Sequence, residues 1–167
     1  QDIEDMIVRF VEATRRADQA GFDVVELHFG HGYLVASFLS PNSNLRSDEW
    51  GGSRDGRMRL ALQLAARVRE VWPAGKPLFC RLSVVDGSTE GWSLEDSVVL
   101  SRALAQLGVD VIDCSSGGLT EETKALPVPR GLGFQVPFSE RIRKEAAVRT
   151  QAVGMIVDAS QAEAVLQ

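Results

Sequence analysis

The chain has 167 residues, a formal net charge of −5 and an isoelectric point near 5.1, with 44% hydrophobic and 25% charged residues. Such a composition is typical of a globular protein with one sizeable core, and it excludes a fibrous or disordered chain. Its acidic balance, with Lys and Arg scattered, argues against nucleic acid or an anionic membrane as the main partner. Without a membrane-span pattern or a signal-peptide pattern, we expect a cytoplasmic protein.

The apolar patterns predict helices that alternate with short strands. Helical periodicity marks five segments, at 3–20, 60–71, 93–107, 136–147 and from 160 onward, where the chain stops before the helix is finished. Strand-like runs mark four segments, at 24–28, 78–84, 109–116 and 152–157. Ser93 and Asp96 resemble a capping box at the start of the third helix. A long polar loop is expected after Tyr33, and a second one, over 117–133, is a candidate substrate-covering or disordered loop.

This alternation predicts a parallel α/β sheet or a (β/α) barrel of the TIM type. The segments QAGFDVVE (19–26) and QLGVDVID (106–113) are similar, which indicates a repeated helix-to-strand unit. A doubly wound dinucleotide-binding sheet is the competing architecture, but it would need a GxGxxG motif that the chain lacks. A closed barrel needs about 250 residues. We therefore expect residues 1–167 to be a single segment of a barrel, incomplete at both ends.

Both histidines and the only tyrosine of the chain, His28, His31 and Tyr33, follow the first strand within six residues. Imidazoles at a strand end can donate hydrogen bonds to a carbonyl or phenolate oxygen and stabilise its developing charge. A phenol keeps its proton near neutral pH and can protonate a carbanion-like carbon. The alternatives are histidines satisfied by backbone groups, a half-buried aromatic ring, or a metal site whose only further nearby donor is Glu26.

Three further features are ambiguous. Arg81 lies in an apolar strand, where its charge needs an anion, an electron-rich ring, or an ion pair with Glu26 or Asp113. The run SSGG (115–118) could bind a phosphate through hydroxyl and N–H groups, or could be a flexible turn. Cys80 and Cys114 have no CxxC spacing and are interpreted as buried, reduced thiols.

The run from His28 to Arg59, with HxxHGYL and FLSPxxNxRxDxWGGS, resembles the signature of the old yellow enzyme family of FMN-dependent ene-reductases, in its bacterial twin-histidine branch. The resemblance continues through GWSLEDSV, GVDVIDCSSGG, QVPFSERIRKEA and AVGMIVDASQAEAVL. It implies a (β/α)8 flavin-binding barrel of which this chain covers strands 4 to 7. It also implies FMN, reduction of FMN by NADH or NADPH, and hydride transfer to an activated alkene such as an enone or a nitroalkene.

By this resemblance, His28 and His31 bind the substrate oxygen, and Tyr33 is the proton donor. Arg81 lies beside the flavin ring and Ser115 contacts the flavin. The loop residues of this signature are expected to be mainly architectural: Asn44, Arg46, Asp48, Gly51, Gly52, Ser53 and Arg57. No metal is assigned.

The chain departs from the family pattern at Trp50, at Ser37 and at the DGR run (55–57). The family's first three strands and its phosphate site lie outside the chain. Open strand edges make a homo-oligomer or a swapped assembly the expected state. Two other interpretations stay open, namely a related flavoprotein such as a dienoyl-CoA reductase or amine dehydrogenase, and an inactive core piece without FMN.

Overall fold

The computed structural model describes residues 2–88, 90–119 and 130–167. Helices and strands alternate along these residues. In chain order they are α1 (Asp2–Gln19), β1 (Val25–Phe29), α2 (Leu34–Leu39), α3 (Arg54–Val71), β2 (Leu78–Ser83), α4 (Leu94–Gln106), β3 (Val111–Ser115), α5 (Val136–Ala146), β4 (Arg149–Ala152) and α6 (Ala159–Leu166).

The four strands form one sheet in the order β1-β2-β3-β4, and each neighbouring pair is parallel. This confirms the predicted parallel α/β architecture with helices between the strands. Parallel strands in sequential order place all their carboxyl ends at one edge. The residues that follow β1, β2 and β3 are therefore brought together.

Successive side chains along each strand point to opposite faces of the sheet. Leu27, Phe29 and Leu82 belong to the face that is buried with apolar side chains of the helices. The opposite face carries His28 and Arg81, which are only half-buried. A single core therefore lies between the sheet and its helices, and the polar residues of β1 and β2 point away from it.

Two predicted elements need correction. The fourth strand is Arg149–Ala152 and not 152–157, because β4 pairs with β3 from Val111↔Arg149 to Cys114↔Ala152. The apolar run 152–157 suggested a strand, but Gly154 has a φ of +102° and the chain turns there. The polar loop after Tyr33 also contains helix α2, and α3 begins at Arg54, six residues before the apolar pattern starts at Leu60.

Other predictions are confirmed. Ser93 and Asp96 form the capping box of α4, with the Ser93 side chain accepting from the Asp96 backbone N–H. Cys80 and Cys114 are buried and free. None of the described helices is long and apolar enough to cross a membrane. Most of the predicted 117–133 loop, residues 120–129, lies outside the described residues.

Candidate active site

The turn between β1 and α2 brings His28, His31 and Tyr33 together. His28 is on β1, and His31 and Gly32 both adopt positive φ values, 57° and 74°, in the turn that follows. Tyr33 is the N-cap residue of α2. The ring of His28 lies with its centroid 5.1 Å from that of His31 and 5.5 Å from that of Tyr33. Two imidazoles and a phenol thus form one cluster, in which the Tyr33 side chain is exposed.

Arg81 lies next to this cluster on β2. Its register partners are His28 on β1 and Asp113 on β3, so the three side chains share one rung of the sheet. Arg81 Nε is 3.3 Å from Asp113 Oδ2. Of the two ion-pair partners considered from the sequence, the structure selects Asp113, which is buried. Among the described residues, neither Arg81 Nε nor the other oxygen, Asp113 Oδ1, has a hydrogen-bond partner.

Burial and the Arg81 charge shape the protonation of the histidines. The pKa of His28 is lowered by partial burial and by the Arg81 charge, while Asp113 opposes the change. The pKa of His31 is lowered by partial burial, by Arg81 and by His28. Both imidazoles are therefore neutral at pH 7, and each offers one N–H donor and one lone pair.

The neighbouring carboxylates respond in the opposite direction. Burial raises the pKa of Asp113, although the charges of Arg81 and His28 oppose this. Partial burial and the charge of Asp113 raise the pKa of Glu26, and Arg81 opposes that change. The Arg81 charge therefore stabilises the ionised forms of both carboxylates on this face of the sheet.

Two serines connect the His31 turn to the neighbouring strands. The His31 backbone N–H donates to Ser83 Oγ at 2.8 Å, and the Ser83 hydroxyl donates to the Gly117 carbonyl at 2.8 Å. His31 Nε2 lies 2.6 Å from Ser115 Oγ. Sequence reasoning missed Ser83. Its signal was a hydroxyl residue at the last position of an apolar strand, aligned with Ser115.

Gly32 and Gly118 allow the two turns to approach closely. A Cβ atom on Gly32 would lie 2.3 Å from the Gly118 carbonyl oxygen, and one on Gly118 would lie 2.6 Å from His31 Cα. Real side chains do not tolerate such distances. The SSGG run therefore contributes, through Ser115 and Gly118, to the packing around His31.

The loop between α2 and α3 is held by the residues predicted to be architectural. The Asn44 amide donates to the Phe38 and Trp50 carbonyls at 2.7 and 2.8 Å. Arg57 donates to the Leu39 carbonyl at 2.9 Å and to the Gly52 carbonyl at 2.8 Å. These bonds fasten α2, and with it Tyr33, to the start of α3.

The model of the NADH:flavin oxidoreductase / NADH oxidase family matches residues 1–167. The chain belongs to this family. The resemblance to old yellow enzyme predicted from the sequence is thereby confirmed. Membership implies FMN as the flavin and NAD(P)H as the reductant.

Individual relatives agree with this assignment. The NADPH dehydrogenase of Geobacillus sp. (strain WCH70) is 46% identical over 166 residues, 99% of this chain and 47% of the relative. Morphinone reductase in complex with tetrahydroNAD is 26% identical with a TM-score of 0.76, over 99% of this chain and 42% of that one. Histamine dehydrogenase from Rhizobium sp. 4-9 is 28% identical with a TM-score of 0.76, over 92% and 22%. The chain spans about half the length of the curated relatives it matches.

The residues on the half-buried face fit a bound flavin. Arg81 presents a guanidinium there whose Nε has no hydrogen-bond partner in the described parts of the chain. Its side chain is 31% exposed, so the rest of the guanidinium can reach an electron-rich ring. A positive charge beside a ring that becomes anionic on reduction is chemically suitable.

Proposed function

We propose that this chain is the substrate-binding part of an FMN-dependent oxidoreductase that transfers hydride from NAD(P)H to the C=C bond of a small activated alkene. The chain is then the segment of a (β/α)8 barrel that includes strands 4 to 7. The observation that supports this proposal most directly is the cluster of His28, His31 and Tyr33 at the carboxyl edge of the sheet. Bound FMN would supply the hydride to the β-carbon of the alkene.

His28 and His31 bind the substrate in this proposal. Their lowered pKa values leave them neutral at pH 7, so each can donate one N–H to a carbonyl or nitro oxygen. Hydride addition to the β-carbon moves negative charge toward that oxygen. Donors that are already placed there stabilise the charge without reorganisation.

Tyr33 completes the addition by giving its phenolic proton to the α-carbon. Its side chain is exposed and stands beside His28, with ring centroids 5.5 Å apart. The product gains one hydride and one proton, and the phenolate left on Tyr33 regains its proton from solvent. Arg81 and Ser115 are assigned to the flavin side of the site, as the family resemblance implies.

A related flavoprotein of the amine dehydrogenase type is the second candidate. The similarity to histamine dehydrogenase supports it, at 28% identity. The 46% identity to a NADPH dehydrogenase favours an NADPH-dependent oxidoreductase over an amine dehydrogenase. An inactive core piece is the third interpretation, and absorbance in the flavin bands with and without added FMN tests it. Flavin colour retained through gel filtration would contradict the third interpretation.

We also expect the whole protein to be cytoplasmic and to bind a small-molecule substrate. A homo-oligomer is expected because a partial barrel leaves open strand edges. Size-exclusion chromatography with light scattering tests the oligomer directly.

The Tyr33→Phe variant of the FMN-loaded protein tests the proposed chemistry. Rapid mixing with NADPH measures flavin reduction, and a second mixing with an enone measures flavin reoxidation. We expect flavin reduction to be unchanged and reoxidation to slow by roughly 10²-fold, the usual size of a lost general acid. An unchanged rate of flavin reoxidation in this variant would contradict the role of Tyr33 as proton donor. The Trp50→Phe variant, which changes an aromatic ring outside the cluster, is the matched control.

A further inference from the structure

Ser83 and Ser115 hold different parts of His31. The two serines are register partners at the last rung of β2 and β3. Ser83 binds the His31 backbone N–H at 2.8 Å, whereas Ser115 Oγ lies 2.6 Å from Nε2 of the ring. The backbone of His31 has a φ of 57°, which only a few per cent of non-glycine residues adopt. Both the main chain and the ring are therefore restrained by neighbouring strands.

The direction of the Ser115 bond determines where the His31 ring carries its proton. Ser115 is 3% exposed, and His31 Nε2 is its only side-chain hydrogen-bond partner within residues 2–88, 90–119 and 130–167. If Nε2 were the donor, the buried Ser115 hydroxyl proton would have no acceptor among these residues, at a cost of about 1–3 kcal/mol. The hydroxyl is satisfied when it donates to Nε2. The single ring proton then lies on Nδ1.

We infer that Ser115 is a positioning residue that holds neutral His31 in the Nδ1–H tautomer, so that Nδ1–H is the ring's donor to an acceptor oxygen. The contact with a substrate oxygen rests on the proposed function, whereas the tautomer is inferred from the contacts of Ser115 among the described residues. This role uses the Ser115 hydroxyl proton, so the predicted contact between Ser115 and the flavin would be made through a lone pair of the hydroxyl oxygen or through the main chain.

The tautomer has a consequence for substrate class. Nδ1–H attracts the lone pairs of a carbonyl or nitro oxygen, and it would repel an N–H donor such as an ammonium group. The other tautomer would present a lone pair at Nδ1 and reverse this preference. Ser115 thus favours electron-poor alkenes that carry an acceptor oxygen over amine substrates.

Nitrogen NMR on ¹⁵N-histidine-labelled protein tests the tautomer directly. The chain contains only two histidines, so two ring systems are observed, and His28→Gln assigns them. Above pH 7.5, we expect His31 to show a protonated Nδ1 and an unprotonated Nε2, although imidazole free in water favours Nε2–H. Ser115→Ala should shift His31 toward Nε2–H, and Ser115→Thr, which keeps the hydroxyl, should restore Nδ1–H.

The matched control is Ser101→Ala, which removes another buried serine hydroxyl on α4 that has no partner among the described residues. It should leave both histidine spectra unchanged. In the FMN-loaded protein, Ser115→Ala should raise KM for an enone about tenfold, the size of one lost hydrogen bond, and Ser115→Thr should restore it.

The outcomes separate this inference from the proposed function. Wild-type His31 as Nε2–H, or a spectrum that is the same in Ser115→Ala, overturns the inference even if the protein reduces alkenes. An Nδ1–H tautomer that depends on Ser115, in a protein that binds FMN but reduces no alkene, supports the inference and contradicts the proposed function.

Discussion

Arg81 and Asp113 occupy neighbouring positions on β2 and β3, and Arg81 Nε lies 3.3 Å from Asp113 Oδ2. The carboxylate is almost fully buried, whereas 31% of the arginine side chain is exposed. Asp113 is therefore the partner that depends on the pair, because its charge has little access to water. Arg81 retains solvent on one side and can serve a second anion.

This asymmetry predicts the outcome of a double-mutant cycle in urea unfolding. Arg81→Met should destabilise the protein by about 2 kcal/mol, because it leaves a buried carboxylate unpaired, discounted for the solvent that reaches Arg81. The Arg81→Met/Asp113→Leu variant should recover at least half of that loss. A loss in the double variant equal to the sum of the Arg81→Met and Asp113→Leu losses would show that the pair is not coupled.

The two histidines should titrate below their ordinary pKa of about 6.5. Burial and the Arg81 charge lower both values. In an NMR titration, Arg81→Met should raise the pKa of His28 and of His31. Arg67→Met, on α3, is the control and should leave both unchanged. Histidine pKa values at or above 6.5 in the wild type would contradict the assigned electrostatics.

The same shifts predict how stability depends on pH. Folding lowers both histidine pKa values, so just below pH 6.5 the unfolded chain binds more protons than the folded one. The free energy of unfolding should therefore fall as the pH drops below about 6.5 and level off below the folded pKa values. Glu26 and Asp113, with raised pKa values, act in the opposite direction at lower pH. The His28→Gln/His31→Gln variant should flatten the slope between pH 7 and 5.5.

Gly118 and Gly21 allow backbone strain to be separated from steric overlap. Both have positive φ values, 95° and 83°, but a Cβ on Gly118 would lie 2.6 Å from His31 Cα, whereas one on Gly21 would meet nothing within 4 Å. Gly21→Ala should cost about 1 kcal/mol, the usual cost of a left-handed alanine. Gly118→Ala should cost at least about 1 kcal/mol more, and should shift the His31 NMR signals. Similar losses in the two variants would show that the turns do not touch.

Asp86 joins the end of α2 to the loop that follows β2. This buried carboxylate accepts from the Ser40 hydroxyl at 2.6 Å and from the backbone N–H groups of Trp92 and Ser88 at 2.7 and 3.0 Å. Asp86→Asn replaces one acceptor oxygen by a donor, and should cost about 2 kcal/mol in thermal or urea unfolding. Asp55→Asn, at an exposed position, should change stability by less than about 0.5 kcal/mol. A cost at Asp86 as small as that at Asp55 would argue against this role.

The elements with strong periodicity could be predicted from the sequence. The α4 helix was predicted with its capping box because Ser93 and Asp96 act locally, within one turn. By contrast, α2 was hidden, because a helix of six residues carries less than two turns of pattern. The position of β4 was also wrong, because its register is set by pairing with β3 and its own residues, RTQA, are mostly polar.

By itself, the sequence determined the family and the parallel α/β class, and it predicted His28, His31 and Tyr33 as site residues. These depend on residue types at short spacings, which are readable along the chain. Only the tertiary structure decided that Arg81 pairs with Asp113, and that Ser83 and Ser115 restrain His31 from strands 52 and 84 residues away. Such contacts arise from the register between parallel strands, since hydrogen-bonding side chains far apart in the chain become neighbours only when the strands align.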